Sequence, residues 1–453
     1  MSVPVRKILR MNLFATFSAL LCTLLLAAPA HAAAPFLEKV DLFTANQEGY
    51  KLYRIPGIVV TKRGTVLAYC EARKSDRGDW GQIDILLRRS TDGGKTWGPR
   101  TTLANVPGPK AKNPVALAQK LATPGEVTYN NPLAIADANG AVHFLFCLEY
   151  ARCFYLRSDD DGLTWTPPVE ITASFDAFRS RRGDEADSPN APAGTSASSP
   201  RRLPDQFYDW KVLATGPGHG IQLKNGRLVV PVWLSLGTGG HAHRPSVTSV
   251  IYSDDLGRTW LRGEIAGPNT GDWNIPNETC AVQLADGRVL LNMRSESKAN
   301  RRLLTTSRDG ATAWSQPQFH DQLLEPICMA GMVRLSEAPS SDKNRLLFSN
   351  PHNLSRADGK EAPGKGRDRK NVSVKLSYDE SATWPVNKTI EPGFSGYSDL
   401  AVANDGIILL FYERGSTDGK DIYRSGLLTV ARFNLEWLTD GQDALPSVGS
   451  AKP

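Results

Sequence analysis

Ser90-Thr-Asp-Gly-Gly-Lys-Thr-Trp97 is the first of five copies of one short pattern in this chain. Ser158-Asp-Asp-Asp-Gly-Leu-Thr-Trp165 and Ser253-Asp-Asp-Leu-Gly-Arg-Thr-Trp260 repeat its Ser-x-Asp-x-Gly-x-Thr-Trp order in full. Ser307-Arg-Asp-Gly-Ala-Thr-Ala-Trp314 and Ser377-Tyr-Asp-Glu-Ser-Ala-Thr-Trp384 keep Ser, Asp and Trp but lack glycine at the fifth place. Recurrence of this kind marks a chain built from like units, set around an axis or along a solenoid. Asp and Ser side chains cap backbone N–H groups in a tight turn, Gly supplies positive φ, and Trp folds back to bury apolar area. Each copy predicts a hairpin turn between two strands, with its aspartate a structural cap rather than a catalyst.

Outward from the copies, two of the four intervals are 68 and 70 residues. They suit a chain divided after Ala33 into six units of about 70 residues. The interval of 95 residues holds a polar stretch from Phe175 to Asp205, predicted to be a flexible surface insertion. Its Arg182-Gly-Asp184 reads as a chance tripeptide in a charged loop. A second loop, Ser355 to Lys370, is rich in Lys, Arg and Gly. Apolar runs are short, and 39 Gly and 30 Pro punctuate them, which favours many strands joined by turns over long helices. The expectation is an all-β chain with one domain over 33–453.

The first 32 residues read as a secretory signal: Arg6, Lys7 and Arg10, an apolar stretch from Met11 to Ala28, then Ala30-His31-Ala32 as cleavage site. The product is expected to be secreted or periplasmic, without stable membrane insertion once the signal is cleaved; an uncleaved anchor is the alternative. The formal charge of +6 falls to about +3 without that segment, too little to argue for nucleic acid. Of six cysteines, Cys22 lies in the signal. The remaining odd number, Cys70, Cys147, Cys153, Cys280 and Cys328, is no disulfide framework. Cys147 and Cys153 flank a short turn, where pairing and two buried thiols are both open. No zinc spacing appears, and His241-Ala-His243 in a Gly-rich stretch reads as loop.

Tyr53-Arg-Ile-Pro56, ahead of the first turn copy, adds a family resemblance. Together with the five copies it resembles the sialidase (neuraminidase) family, with its Arg-Ile-Pro signature followed by aspartate boxes. The resemblance covers essentially the whole chain after the signal. It implies a six-bladed β-propeller with the site in its central depression, and neither metal nor organic cofactor. It also implies three arginines for the substrate carboxylate. Arg54 is the first, and Arg294 in Leu290-Leu-Asn-Met-Arg294 matches the second. Arg369 matches the third, with Arg367 as its rival. Guanidinium suits this task because it forms bidentate, charge-assisted hydrogen bonds to carboxylate and stays ionised.

Tyr397, in Ser395-Gly-Tyr-Ser-Asp-Leu400, matches the nucleophile, and Glu278, in Asn277-Glu-Thr-Cys280, its base. A neutral phenol escapes the repulsion that an anionic nucleophile would meet from the carboxylate on the carbon it attacks, but its pKa of about 10 requires a base nearby. Asp79 matches the acid/base, with Asp76 and Asp84 as competitors in the same stretch. Arg73 resembles the arginine near the sugar's 4-hydroxyl, Glu413 the carboxylate that braces the first arginine, and Asn131 a pocket-lining residue. Gly216-Pro-Gly-His-Gly-Ile221 reads as scaffold near the pocket.

The implied activity is that of a retaining exo-α-sialidase acting on sialylated glycans: glycoproteins, gangliosides (hence a link to ganglioside catabolism) and oligosaccharides. A trans-sialidase, or an enzyme for another nonulosonic acid, would keep the same residues. A non-catalytic glycan-binding propeller is a third reading, though a binder needs no Tyr–Glu pair.

Overall fold

Strand Leu52–Val60 is buried along nearly its whole length, as is its neighbour Val66–Arg73. Strands that read as continuous apolar runs are covered on both faces, and here the covering layers are other blades. A computed structural model describes residues 1–2, 33–179, 206–238, 240–356, 359–360, 368–420 and 422–446. Most of the expected signal, most of the expected insertion, and Arg367 lie outside these residues.

The chain folds as a six-bladed β-propeller. The first blade runs outward through Leu52–Val60, Val66–Arg73, Ile83–Ser90 and Thr101–Thr102. The second, third and fourth begin at Tyr129–Ala136, Val212–Thr215 and Thr279–Gln283. The last two blades share one strand. Val386–Val402 is 17 residues long; its first half pairs with Lys370–Ser377 as the outer edge of the fifth blade, and its second half pairs with Ile408–Arg414 as the inner strand of the sixth. The sixth blade is completed by Leu37–Thr44, which pairs with Leu427–Phe433. This closure explains five turn copies for six blades. In the sixth, the third and fourth strands come from opposite ends of the chain, so no hairpin turn joins them. A separate apolar layer fills each gap between neighbouring blades. Phe411 and Val430 packed with Ile58 and Val66 form the layer that shuts the ring.

The five turns take the expected form. Ser158 Oγ accepts from Gly162 N at 2.8 Å, and Asp160 Oδ1 accepts from Thr164 N at 2.9 Å. Hydrogen bonds from Thr164 pull the Asp160 carboxyl down to about 2. The fifth copy tolerates its missing glycine by holding Ser381 at φ +75°. The fourth is shortened: Asp309 binds Thr312 N, three residues on, and Gly310 takes the turn position one place early. Along each antiparallel blade, the ends of the third strands share one face. The starts of the first and third strands and the ends of the second share the other. The turn aspartates therefore lie on the face away from the site described below.

Two expectations are refined. The stretch from Phe175 is not all surface loop: Phe175 and Phe178 are fully buried in the layer between the second and third blades. Their apolar side chains needed only one helical turn, Ala173–Asp176, to reach it. Cys147 and Cys153 face each other directly across two strands and are free, buried thiols. Gly216-Pro-Gly-His-Gly-Ile221 threads the propeller axis. Tyr69 Oη donates to Gly218 O at 2.7 Å, and His219 Nδ1 lies 2.7 Å from Asp399 Oδ1. Gly218 sits at φ +92°, and a Cβ there would fall 2.6 Å from Met329 Cε, so the close approach requires glycine.

Candidate active site

A cavity of about 990 Å³ opens on the axis at the face opposite the turn aspartates. Irregular strand starts build its walls. Pairing slips between Arg54 and Gly57, between Asn130 and Leu133, and between Ser395 and Ser398. Ile55 and Asn131 take positive φ at two of these bulges. A bulge re-aims the side chains beside it, and here the re-aimed positions include Arg54, Asn131 and Tyr397, all lining the cavity.

Tyr397 is at the centre. Its hydroxyl donates to Glu278 Oε1 at 2.5 Å and accepts from Arg294 Nη1 at 2.8 Å. Arg294 also pairs with Glu278. Burial and the Glu278 charge push the Tyr397 phenol well above its ordinary range, against the opposing pull of Arg294, Arg369 and Arg54. The ring is therefore a neutral phenol whose proton already points at a carboxylate. Arg54 and Arg369 hold their guanidiniums 5.2 and 5.0 Å from the Tyr397 ring centre.

Each arginine is positioned differently. Arg54 is gripped by Glu413, Nε to Oε1 at 2.9 Å and Nη2 to Oε2 at 3.3 Å. The same fully buried carboxylate accepts from Ile55 N at 3.3 Å and Tyr397 N at 3.2 Å. Arg369 has no ion pair among the described residues. Its Nη2 donates to Ile327 O at 2.5 Å, while Nε and Nη1 are buried without partners. Arg294 likewise keeps a buried Nε without a partner. Three converging cations with unspent donors form an anion site, since a buried donor without a partner costs about 1–3 kcal/mol until something accepts from it.

Asp79 lies on the first-blade side, with Oδ1 2.9 Å from Arg73 Nη1. Enclosure penalises its charge, but Arg73, then His243 and Arg54, outweigh that and hold its carboxyl below the usual range. Of its competitors, Asp76 stands at the cavity rim, 3.4 Å from Arg424. Asp84 accepts from Tyr50 Oη at 2.7 Å and lines no part of the cavity. The Asn131 side chain is committed to scaffold: Nδ2 donates to Thr215 O at 3.1 Å, and Oδ1 accepts from Asn130 at 3.1 Å.

The sequence reading missed several residues. Glu71, fully buried, fixes Arg73 through Nη2 at 2.7 Å and accepts from Asn131 N at 2.9 Å. A carboxylate two residues before an arginine on one strand shares its face, and that spacing was a usable signal. His241 and His243, read as loop, line the cavity. His243 packs among Trp80, Tyr150 and Trp233 at 5.6, 4.9 and 5.2 Å between ring centres, and burial pushes its imidazole down to about 4. Nothing local in the sequence announces that the loop reaches over the second blade. Tyr423, half-exposed at the rim, was also missed.

Comparison with known proteins agrees with this geometry. Residues 176–410 match the BNR repeat-like domain family. A sialidase of Micromonospora viridifaciens is 28% identical over 435 residues, covering 91% of this chain and 57% of that protein. A sialidase of Bacteroides fragilis is 25% identical, covering 82% of this chain and 61% of that protein. The chain thus spans less than two thirds of either relative. Among solved structures, the Hadza microbial sialidase Hz136 superimposes with a TM-score of 0.62 at 23% identity, covering 88% of this chain and 69% of that one. With the fold, the repeated turns and a family match over more than half of its length, the chain belongs to the BNR repeat-like family and is similar along most of its length to sialidases.

Proposed function

We propose that this protein is a retaining exo-α-sialidase that releases terminal sialic acid from sialylated glycans. The observation that carries the reading is the convergence of Arg54, Arg294 and Arg369 on a neutral Tyr397 whose hydroxyl donates to Glu278. Three guanidiniums suit a substrate whose carboxylate sits on its anomeric carbon. Tyr397 attacks that carbon as Glu278 takes the phenolic proton, forming a covalent glycosyl–tyrosine bond. Asp79 protonates the departing glycosidic oxygen, then takes a proton from the water that releases sialic acid. The negative charge of the bound carboxylate offsets the arginine field, which makes Asp79 easier to protonate in the complex than in the empty site. The chemistry calls on no metal or organic cofactor. Glycoproteins, gangliosides and oligosaccharides all present the required terminal sugar, and the charged, then apolar, start of the chain supports export to a compartment where such glycans occur.

A fluorogenic sialoside assay on the purified protein, with and without lactose, tests this. Release of fluorophore and free sialic acid is expected; sialyl-lactose as the main product would make the enzyme a transferase using the same residues. Binding without turnover would leave a glycan-binding propeller.

A further inference from the structure

We propose that Tyr423 is a cap on the carboxylate subsite that must swing aside before an anion reaches Arg369 and Arg54. The inference rests on the sialidase reading for its ligand and goes beyond it in assigning access to a residue outside the catalytic set. Arg369 and Arg54 are only 3% and 4% exposed, although the carboxylate has to bind them. These two arginines are the ones that lie against Tyr423, with guanidinium carbons 4.6 and 5.7 Å from its ring centre. Arg369 is held between two rings, Tyr397 on one side and Tyr423 on the other. Its Nε and Nη1 have neither partner nor exposure. Tyr397 is anchored in the floor and cannot leave; Tyr423 is half-exposed and can.

The support of the ring suits a swinging part. Tyr423 stands on a single turn, Ile422–Arg424. Ile422 is buried and pins the base, whereas Arg424 reaches Asp76 and Asp418 at 3.4 and 3.5 Å across the rim. Asp76 belongs to the Asp79 loop, so the cap is tethered to the loop carrying the proposed acid. Ring-over-cation contacts are modest in energy and stronger when desolvated. They are enough to keep the subsite covered while empty, and weak enough to yield to a ligand that offers a charge-assisted pair. Binding then carries the cost of opening, and removing the cap removes that cost.

The test compares wild type with Tyr423→Ala and Tyr423→Phe. Modification by phenylglyoxal, an arginine-selective dicarbonyl, is mapped by peptide mass spectrometry, which needs neither ligand nor activity. Labelling of Arg369 and Arg54 is expected to rise about tenfold in Tyr423→Ala, with Arg294 unchanged and Tyr423→Phe matching wild type. Stopped-flow association of 2-deoxy-2,3-didehydro sialic acid is expected to quicken by a similar factor. Because the side chain is half-exposed, the variant should fold, and a melting curve checks that; Tyr423→Ser is the substitute if it does not. Unchanged arginine labelling in Tyr423→Ala overturns the cap. Increased labelling with no binding of the analogue by any form overturns the sialidase reading and leaves the cap standing.

Discussion

Replacing Glu413 with glutamine changes one oxygen into an NH2 group and is expected to damage stability and turnover together. The Glu413 carboxylate accepts four hydrogen bonds, two from Arg54 and one each from the Ile55 and Tyr397 backbone N–H groups. It is fully buried, and Arg54 is almost so. In Glu413→Gln the introduced amide can accept through only one atom, and its NH2 faces donors. Removing one partner of a buried ion pair costs about 3–5 kcal/mol because the other charge stays behind unpaired. With an unfolding entropy of about 2.1 cal/mol/K per residue, that lowers Tm of a chain this long by about 4–6 °C. Loss of a well-placed Arg54 removes a charge-assisted contact of about 1.5–3 kcal/mol from the transition state, so kcat/KM should fall by about 10- to 200-fold or more. Differential scanning calorimetry and the fluorogenic assay read the two effects. Wild-type Tm with wild-type kcat/KM would refute the bracing role argued for Glu413.

Three further outcomes are expected. Asp79→Ala should lower turnover of a sialyl-lactose by about 10²–10⁴-fold but hydrolysis of an activated aryl sialoside far less, since good leaving groups need little protonation. Because Arg73, His243 and Arg54 hold the Asp79 carboxyl low against the cost of enclosure, its acid form grows as pH falls. Wild-type kcat/KM for sialyl-lactose should therefore climb toward acid pH, and that slope should vanish in Asp79→Ala. Arg294→Ala should lose at least tenfold in kcat/KM with little change in Tm, since the residue both contacts the Tyr397 hydroxyl and belongs to the anion site. Lys375 is buried with only Asn350 Oδ1, at 3.3 Å, and burial pushes its ammonium down to about 7. Its unfolded value is near 10.4, so between pH 7 and 10 the unfolded chain binds more protons and stability rises with pH. Lys375→Met should accordingly raise Tm, by about 1–3 kcal/mol of stability at pH 6 after allowing for the orphaned Asn350 oxygen, and by less at pH 9.

Much of the fold was legible because the turn copies are local. Ser, Asp, Gly and Trp within eight residues specify a hairpin without help from the rest of the chain, and five such turns carry the blade period. Ring closure was not legible in the same way. Leu37–Thr44 meets Leu427–Phe433 across the whole length of the chain, and no spacing rule links strands that far apart. The worn fourth copy also hid its turn, because shifting glycine one place keeps the hydrogen bonds while breaking the pattern. At the site, Arg54, Asp79, Glu278, Arg294, Arg369, Tyr397 and Glu413 are gathered by the structure as their motifs suggested. Residues that reach the cavity from rim loops escaped notice. His243 and Tyr423 act through where a loop lands, which depends on the packing of the second and sixth blades rather than on neighbours in sequence.

The central claim, that Tyr397 forms a covalent bond to the sugar, is tested most directly by trapping that bond. A 3-fluorosialosyl fluoride loads the enzyme through its good leaving group, while the fluorine at carbon 3 slows hydrolysis of the intermediate. Peptide mapping by mass spectrometry then locates the added sugar. The account predicts one label per protein on the peptide carrying Tyr397, absent from Tyr397→Phe, and strongly reduced in Glu278→Gln, which lacks the base. A label on Asp79, Glu278 or any other carboxylate, or normal turnover by Tyr397→Phe, would contradict it.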